Sequence, residues 1–428
     1  MNATLTPIET EAKAREQYWI KSLNTHLEYI REKSPYYKKA LSHLPQGNFF
    51  RDGLSALKDL PFTVKDDLAR HNWDFLAVPK SDIIDYATTS GTLGDPVAMF
   101  VSENDLQRLA KNEKNSLQLA GCTSTDVFQL MTTIDKQFMA GLAYHYGTRA
   151  LGAGMVRTGP GVPAMQWKSI QQFKPSVLIA VPSFIPFLLD FAEKHGIDAN
   201  STSVKKIVCI GEALTTGDLQ PGALMKRIKS RWNVELISTY ASTEMATAFT
   251  ACSEHSGVHV QPELIVVEVL DENGNQVKNG EQGEVVVTPL GVEATPLLRY
   301  RTGDICHYYD EPCACGRTTP RLGPVLGRQQ QMIKLKGTTL YPNMIVDALN
   351  EVEELKAYII QIESNEWGGD ELLIRCAASA TLEKIILDTL RARLRVTPKV
   401  SFESAEEIRA LRFANDSRKP VLVRDLRS

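Results

Sequence analysis

The sequence predicts an α/β protein. A large N-terminal domain with mainly parallel sheets and a small β subdomain precedes a small α+β, ferredoxin-like C-terminal domain. Three observations predict it. Short β-branched runs alternate with helical runs over residues 83–240, the pattern of a parallel sheet with both faces covered. From residue 259 strands follow one another through turns with no helix between them. After Gly327-Arg328 the order becomes β-α-β-β-α-β. At 428 residues the chain exceeds one ordinary core. The expected division is residues 1–327, with the β subdomain at about 259–327, and residues 328–428.

In chain order, Trp19, Leu23, Leu27 and Ile30 recur at helical spacing within a helix expected over residues 8–33, which Pro35 stops. Thr63 is the expected N-cap of the next helix, with Asp66 three residues on. Strands are expected at Ile83–Ala87, Val127–Met131, Pro175–Pro182 and Val204–Ile210, with helices at residues 104–120 and Phe184–Ala192. Ile265–Leu270 and Glu284–Pro289 flank the turn signal Asp271-Glu272-Asn273-Gly274. In the last third, Pro342–Asn350 and Leu382–Leu394 read as helices, and Ala357–Glu363, Glu371–Ala377 and Lys399–Phe402 as strands.

Composition excludes several classes. With 48 basic and 51 acidic residues the net charge is −3, which gives no general affinity for nucleic acid. The most apolar stretch, Val177 to Leu189, is broken by Pro182 and Pro186 and is shorter than the ~20 residues a membrane span needs. The N-terminus has neither a basic n-region nor a long apolar h-region, so no signal peptide is expected. Seven cysteines fit free thiols or a metal site in a reducing cytoplasm better than a disulfide framework.

Two stretches carry chemistry by residue type. Ile237-Ser238-Thr239-Tyr240-Ala241-Ser242-Thr243-Glu244 reads as a buried strand opening into a loop with two hydroxyls and a carboxylate. Ligands of open α/β sheets collect at such carboxyl ends. Thr88-Thr89-Ser90-Gly91-Thr92-Leu93-Gly94 places four hydroxyls and two glycines in seven residues. Glycine lets backbone N–H groups approach an anion, and hydroxyls donate to phosphate oxygens. It is not a Walker A loop, since no Gly-Lys-Ser/Thr follows. By itself it reads equally as a polar surface turn.

With Tyr300-Arg301-Thr302-Gly303-Asp304 and Lys419, these stretches resemble the signature set of the adenylate-forming (acyl-CoA synthetase) superfamily. From Ser34 to Asp425 the chain is similar to the phenylacetate–CoA ligase family. The resemblance implies an AMP-forming carboxylate–CoA ligase that uses ATP, Mg²⁺ and CoA on an aryl or arylacetic acid. It implies nucleotide contacts from Thr89, Ser90, Gly91, Thr92, Gly94, Gly211, Glu212, Tyr240, Ala241, Ser242, Thr243, Asp304 and Arg328. Glu244 would hold Mg²⁺, a hard cation that takes oxygen ligands and often only one or two carboxylates. Thr243 would contact the α-phosphate, Asp304 the ribose hydroxyls, and Lys419 the charge developing in adenylation. Tyr144, His145 and Tyr146 would line the acyl or thiol side, with His145 setting active-site geometry, and Lys336-Gly337 would approach the CoA channel. The C-terminal domain would act as a mobile lid, hinged near Arg328-Gln329-Gln330-Gln331. Family members are often dimers.

The sequence departs from the family at Asp95, where lysine is usual, at Ala241, where glycine is usual, and at Gln330, where a charged hinge residue is usual. These departures keep open a nucleotide-binding protein without turnover. Lys334, Lys336, Arg391, Arg393 and Arg395 keep open an enzyme that loads the thiol of an acidic carrier protein. Separately, Cys252, His259, Cys313 and Cys315 supply three thiols and an imidazole, a tetrahedral Zn²⁺ set. Phenylacetate–CoA ligases have a similar Cys…His…Cys-x-Cys-Gly-Arg pattern. With four protein ligands such a zinc would be structural.

Overall fold

The computed structural model describes residues 5–89, 97–335, 338–355, 357–364, 370–412 and 421–427. Contacts divide the chain into two compact units, residues 1–219, 227–302 and 306–324 in the first, and 220–226, 303–305 and 325–428 in the second. No described helix is long and apolar enough to cross a membrane.

The first unit opens with helices α1 (Pro7–Thr10), α2 (Ala12–Lys33) and α3 (Pro35–Ala40). Trp19, Leu23, Leu27 and Ile30 are all buried, so the helical spacing read in the sequence is the packed face of α2. At the next helix, α4 (Lys65–His71), the cap sits one residue later than expected. The Val64 N–H donates to Asp67 at 2.9 Å, while the Thr63 hydroxyl donates to the Leu298 carbonyl at 2.8 Å. A long-range partner took the hydroxyl that local spacing assigned to the cap.

Strands β1 (Asp85–Thr88) and β2 (Ala98–Val101) pair antiparallel, and α5 (Glu103–Leu119) follows. Then come β3 (Val127–Leu130), α6 (Met139–Leu151), β4 (Gly154–Arg157), α7 (Pro163–Phe173), β5 (Val177–Ala180), α8 (Phe184–Lys194), β6 (Lys206–Cys209), α9 (Ala223–Lys229) and β7 (Glu235–Ser242). Strands β4-β3-β5-β6-β7 are neighbours in that order and all parallel. Their carboxyl ends therefore share one edge. Strand β7 is where the sheet changes character. It is parallel to β6 on one side and antiparallel to β8 (Thr247–Ala251) on the other, with Thr239 opposite Thr250 and Ser242 opposite Thr247. This pairing keeps Tyr240, Ala241 and Ser242 extended, so the loop expected from Tyr240 onward is confined to the turn between β7 and β8. Beyond it lie β9 (Val258–His259), β10 (Ile265–Leu270), β11 (Gln282–Pro289), β12 (Tyr300–Tyr309) and β13 (Arg321–Leu322). Strands β10 and β11 pair from Ile265–Pro289 to Leu270–Glu284, as their turn signal indicates.

Helices α5 and α6 pack closely. A Cβ on Gly147 would lie 2.2 Å from the Glu113 Cβ, so only glycine fits there. Glu113 is buried, and its Oε2 has no hydrogen-bond partner among the described residues. Burial pushes its carboxyl up from 4.5 to about 8. The folded state thus keeps a proton that the unfolded chain has released, and stability falls as pH rises from about 4.5 to about 8. Glu113→Gln is expected to flatten this slope and to raise the denaturant midpoint at pH 8 relative to pH 5. An unchanged slope would contradict this reading of Glu113.

The second unit holds β14 (Gly327–Arg328), the hairpin β15 (Ile333–Leu335) and β16 (Thr338–Leu340), α10 (Pro342–Leu349), β17 (Tyr358–Ser364), β18 (Asp370–Cys376), α11 (Glu383–Leu394), β19 (Lys399–Phe402), α12 (Ala405–Arg412) and β20 (Val423–Asp425). Its four-stranded sheet is ordered β19-β18-β17-β20. Ile345, Leu349, Ile360, Ile374, Ile386 and Leu390 form its core. Strand β20, absent from the sequence expectations, pairs parallel with β17 through Ile360–Val423.

Candidate active site

The carboxyl edge of the parallel strands carries Gly211, Glu212, Thr243 and Glu244, which follow β6 and β7. At the end of β7, the Ala246 N–H donates to the Thr243 carbonyl at 3.2 Å, closing a tight turn. Ala246 takes a left-handed φ of 45°. This turn presents Thr243 and Glu244. Glu244 is half-buried and accepts a hydrogen bond from the Tyr300 hydroxyl at 3.3 Å. No basic side chain pairs with it among the described residues. A partly exposed, unneutralised carboxylate at this edge is the donor type Mg²⁺ takes. Tyr300 lay within a recognised motif, but its hydroxyl's role required the fold to see.

One strand over, Gly211 and Glu212 follow β6. The Glu212 carboxylate accepts from both the N–H and the hydroxyl of Ser183, each at 2.8 Å, and so braces the start of α8. The Thr239 hydroxyl donates to the Cys209 carbonyl at 2.7 Å, tying β7 to β6 beneath the turn. Just after β1, Thr89 pairs with Val97: its N–H donates to the Val97 carbonyl at 3.0 Å and its hydroxyl accepts from the Val97 N–H at 3.1 Å. Ser90, Gly91, Thr92, Gly94 and Asp95 lie outside the described residues, as do Lys336, Gly337 and Lys419.

The three aromatic candidates lie on α6, where consecutive side chains diverge by about 100°. They do not form one wall. Tyr144 is buried and hydrogen-bonded to Thr239, and burial holds its phenol well above the usual range. His145 and Tyr146 are half-buried. The His145 Nδ1 is enclosed with no partner among the described residues, and burial, with Arg157 and Arg149 behind it, lowers its pKa.

In the second unit Asp304 and Arg328 come together. They are register partners across β12 and β14, with Arg328 Nε 3.2 Å from Asp304 Oδ1. Asp304 is buried. The neighbouring motif arginine is structural: Arg301 in the first unit is paired with the buried Glu284.

The cysteine and histidine candidates also converge. Ligand atoms of Cys252, His259, Cys313 and Cys315 all lie within 4.8 Å of one another. Tetrahedral zinc, with bonds of about 2.3 Å to sulfur and about 2.05 Å to nitrogen, requires S···S near 3.8 Å and S···N near 3.6 Å, both rough values. The Cys252–Cys313 sulfurs are 3.7 Å apart, and Cys315 Sγ is 3.6 Å from His259 Nε2. The other ring nitrogen, Nδ1, is 2.9 Å from the Thr319 hydroxyl, which aims Nε2 at the thiols. The residues fit the ion.

Residues 47–292, more than half of the chain, match the family model described as AMP-binding enzyme. The chain belongs to the AMP-binding enzyme family. It is an AMP-forming acid–thiol ligase of the acyl-CoA synthetase superfamily. This AMP-binding enzyme is 30% identical over 359 residues to a phenylacetate-coenzyme A ligase of Thermus thermophilus, a match covering 82% of the chain and 78% of the relative. It is 28% identical over 376 residues to one from Escherichia coli, covering 86% and 83%. A crystal structure of 2-hydroxyisobutyryl-CoA ligase in the postadenylation state, in complex with 2-HIB-AMP, shares the fold. Its TM-score is 0.83 at 23% identity, over 98% of this chain and 91% of that one.

Proposed function

We propose that this AMP-binding enzyme activates an aryl or arylacetic acid, phenylacetate-like in class. ATP and the acid give an acyl adenylate and pyrophosphate, and the CoA thiol then takes the acyl group and releases AMP. The observation that carries the reading is Glu244. It is a half-buried carboxylate without a cationic partner among the described residues, on a tight turn at the carboxyl edge of five parallel strands. Relatives named phenylacetate-coenzyme A ligases support the substrate class.

No protein nucleophile is required, so positioning and electrostatics supply the rate. Glu244 would hold Mg²⁺, which when bound offsets the charge of the phosphate oxygens. The Thr243 hydroxyl donates to the α-phosphate. The carboxylate of Asp304 accepts from the ribose hydroxyls, and Arg328, beside it, orients that carboxylate. His145 orients the acyl group. Lys419 supplies the mobile positive charge for adenylation, and Lys336-Gly337 borders the thiol path. Residues 328–428 act as the lid, swinging about Arg328–Gln331. A structural zinc sits on Cys252, His259, Cys313 and Cys315. The enzyme works in the cytoplasm, and a homodimer is the expected assembly.

Asp304→Asn keeps the shape but weakens two acceptor bonds, so KM for ATP is expected to rise about tenfold or more with the acid's KM little changed. Steady-state kinetics with each substrate varied in turn check this. The reading as a whole is tested by mass spectrometry of reactions containing ATP, Mg²⁺, CoA and a panel of phenylacetate, benzoate, hydroxylated aryl acids and short fatty acids. An aryl or arylacetyl thioester of CoA is expected. Thioesters of the short fatty acids alone would remove the substrate class.

A further inference from the structure

We infer that Arg108 is a positioning residue for the Thr243–Glu244 turn, fixing where the Glu244 carboxylate sits. The inference rests on the proposed role of Glu244 and extends it to a residue on a different element, 138 residues before Ala246 in the sequence.

Arg108 lies on α5 and is 8% exposed. A buried guanidinium needs every N–H satisfied. Here oxygens from three segments accept from four of its five N–H groups. Nε donates to the Leu290 carbonyl at 2.7 Å, and Nη2 to the Leu264 carbonyl at 2.6 Å and the Thr247 hydroxyl at 3.0 Å. Nη1 donates to the carbonyl of Ala246. None of these partners is a carboxylate. Asp105, one helical turn earlier, spends its oxygens on the N–H groups of Ser102, Glu293 and Ala294. The cation is thus held by backbone and hydroxyl dipoles, and half of its contacts go to Ala246 and Thr247.

Those two residues close the turn that carries Glu244. Ala246 is left-handed, a conformation costly for any residue with a Cβ, and it persists only where surrounding contacts hold it. The Arg108 bond to its carbonyl is such a contact. Behind the turn is a cavity of about 20 Å³ lined by Arg108, Met139, Thr243 and Ala246 among others, so side-chain packing does not fill the space beneath it. The guanidinium therefore sets the turn's position where apolar packing does not. Glu244 itself has one described partner, the Tyr300 hydroxyl, and depends on the backbone for its placement.

The test uses the full-length enzyme, with Arg108→Met, Arg108→Lys and Glu244→Gln. Three quantities are read: the Mg²⁺ concentration for half-maximal pyrophosphate exchange, hydrogen exchange of peptides spanning residues 240–250 without nucleotide, and thermal unfolding. Arg108→Met is expected to raise the half-saturating Mg²⁺ about tenfold or more and to speed hydrogen exchange at the turn by a similar factor. Arg108→Lys, with the charge but fewer donors, should fall between. Adding Ala246→Gly to Arg108→Lys frees the left-handed backbone of its penalty and should recover about half of the lost Mg²⁺ response. A lower melting temperature with unchanged Mg²⁺ dependence and unchanged exchange at the turn would overturn the proposal. If Arg108→Met does not fold, the lysine pair decides alone. Should Glu244→Gln leave the Mg²⁺ dependence unaltered, the role given to Glu244 fails, and hydrogen exchange at the turn still decides whether Arg108 holds it.

Discussion

Glu244→Gln is expected to lower carboxylate-dependent ATP–pyrophosphate exchange by on the order of 10²–10³-fold, the scale on which a single aimed charge-stabilising group acts. The amide keeps the volume of the side chain and can still accept from the Tyr300 hydroxyl, which lies 3.3 Å away in the wild type, so the turn should survive. What is lost is the negative charge. The half-saturating Mg²⁺ should rise with the fall in rate, while KM for the carboxylic acid stays within about twofold. Exchange kinetics at several Mg²⁺ concentrations make the comparison. Wild-type rates in the variant would take Glu244 out of the mechanism.

The second large effect belongs to the candidate zinc site of Cys252, His259, Cys313 and Cys315. The purified enzyme is expected to carry one zinc per chain by elemental analysis. Cys313→Ser should release the ion and lower the melting temperature by about 10 °C or more, since structural zinc contributes directly to folding. The cluster joins four separate places: the residue after β8, strand β9 and two positions in the loop after β12. The same loop is strapped to the N-terminus. Arg317 Nε donates to the Glu9 carboxylate at 2.9 Å, and the Thr318 N–H to the Glu9 carbonyl at 2.8 Å. Loss of the ion should therefore also loosen α1, which limited proteolysis of the N-terminus would register. A zinc-free protein of undiminished stability would contradict the assignment.

Much of this architecture was legible in the sequence because the signals were local. The α2 face repeats apolar residues at helical spacing. The strands β3, β5 and β6 are short β-branched or apolar runs between helices. The Asp271–Gly274 turn between β10 and β11 is written in its own residues, with the Asp271 carboxylate accepting from the N–H of Asn273 and Asn275. The four candidate zinc ligands were legible as residue types, and the fold brings their ligand atoms within 4.8 Å of one another.

What stayed hidden depended on partners distant in sequence. Thr63 has a good cap pattern, but its hydroxyl serves Leu298. The extension of β7 through Ser242 follows from pairing with β8, which a propensity reading of Tyr240-Ala241-Ser242 does not contain. Tyr144, His145 and Tyr146 look like one aromatic wall as a string, and helix geometry turns Tyr144 into the core. Arg108 reads as one more charged residue on an amphipathic helix, and only the convergence of Leu264, Leu290, Ala246 and Thr247 reveals its work. The cases at Thr63, β7 and Arg108 are tertiary contacts overriding a local rule, and all three bear on residues around the candidate site.

The central claim is that this carboxyl edge forms an acyl adenylate before any thiol takes part. The direct measurement is incorporation of labelled pyrophosphate into ATP with Mg²⁺ and an aryl or arylacetic acid present and CoA absent. The account predicts exchange that requires the acid, proceeds without CoA and falls on the order of 10²–10³-fold in Glu244→Gln. Exchange that appears only with CoA, or ATP consumption that yields ADP and phosphate, would contradict it.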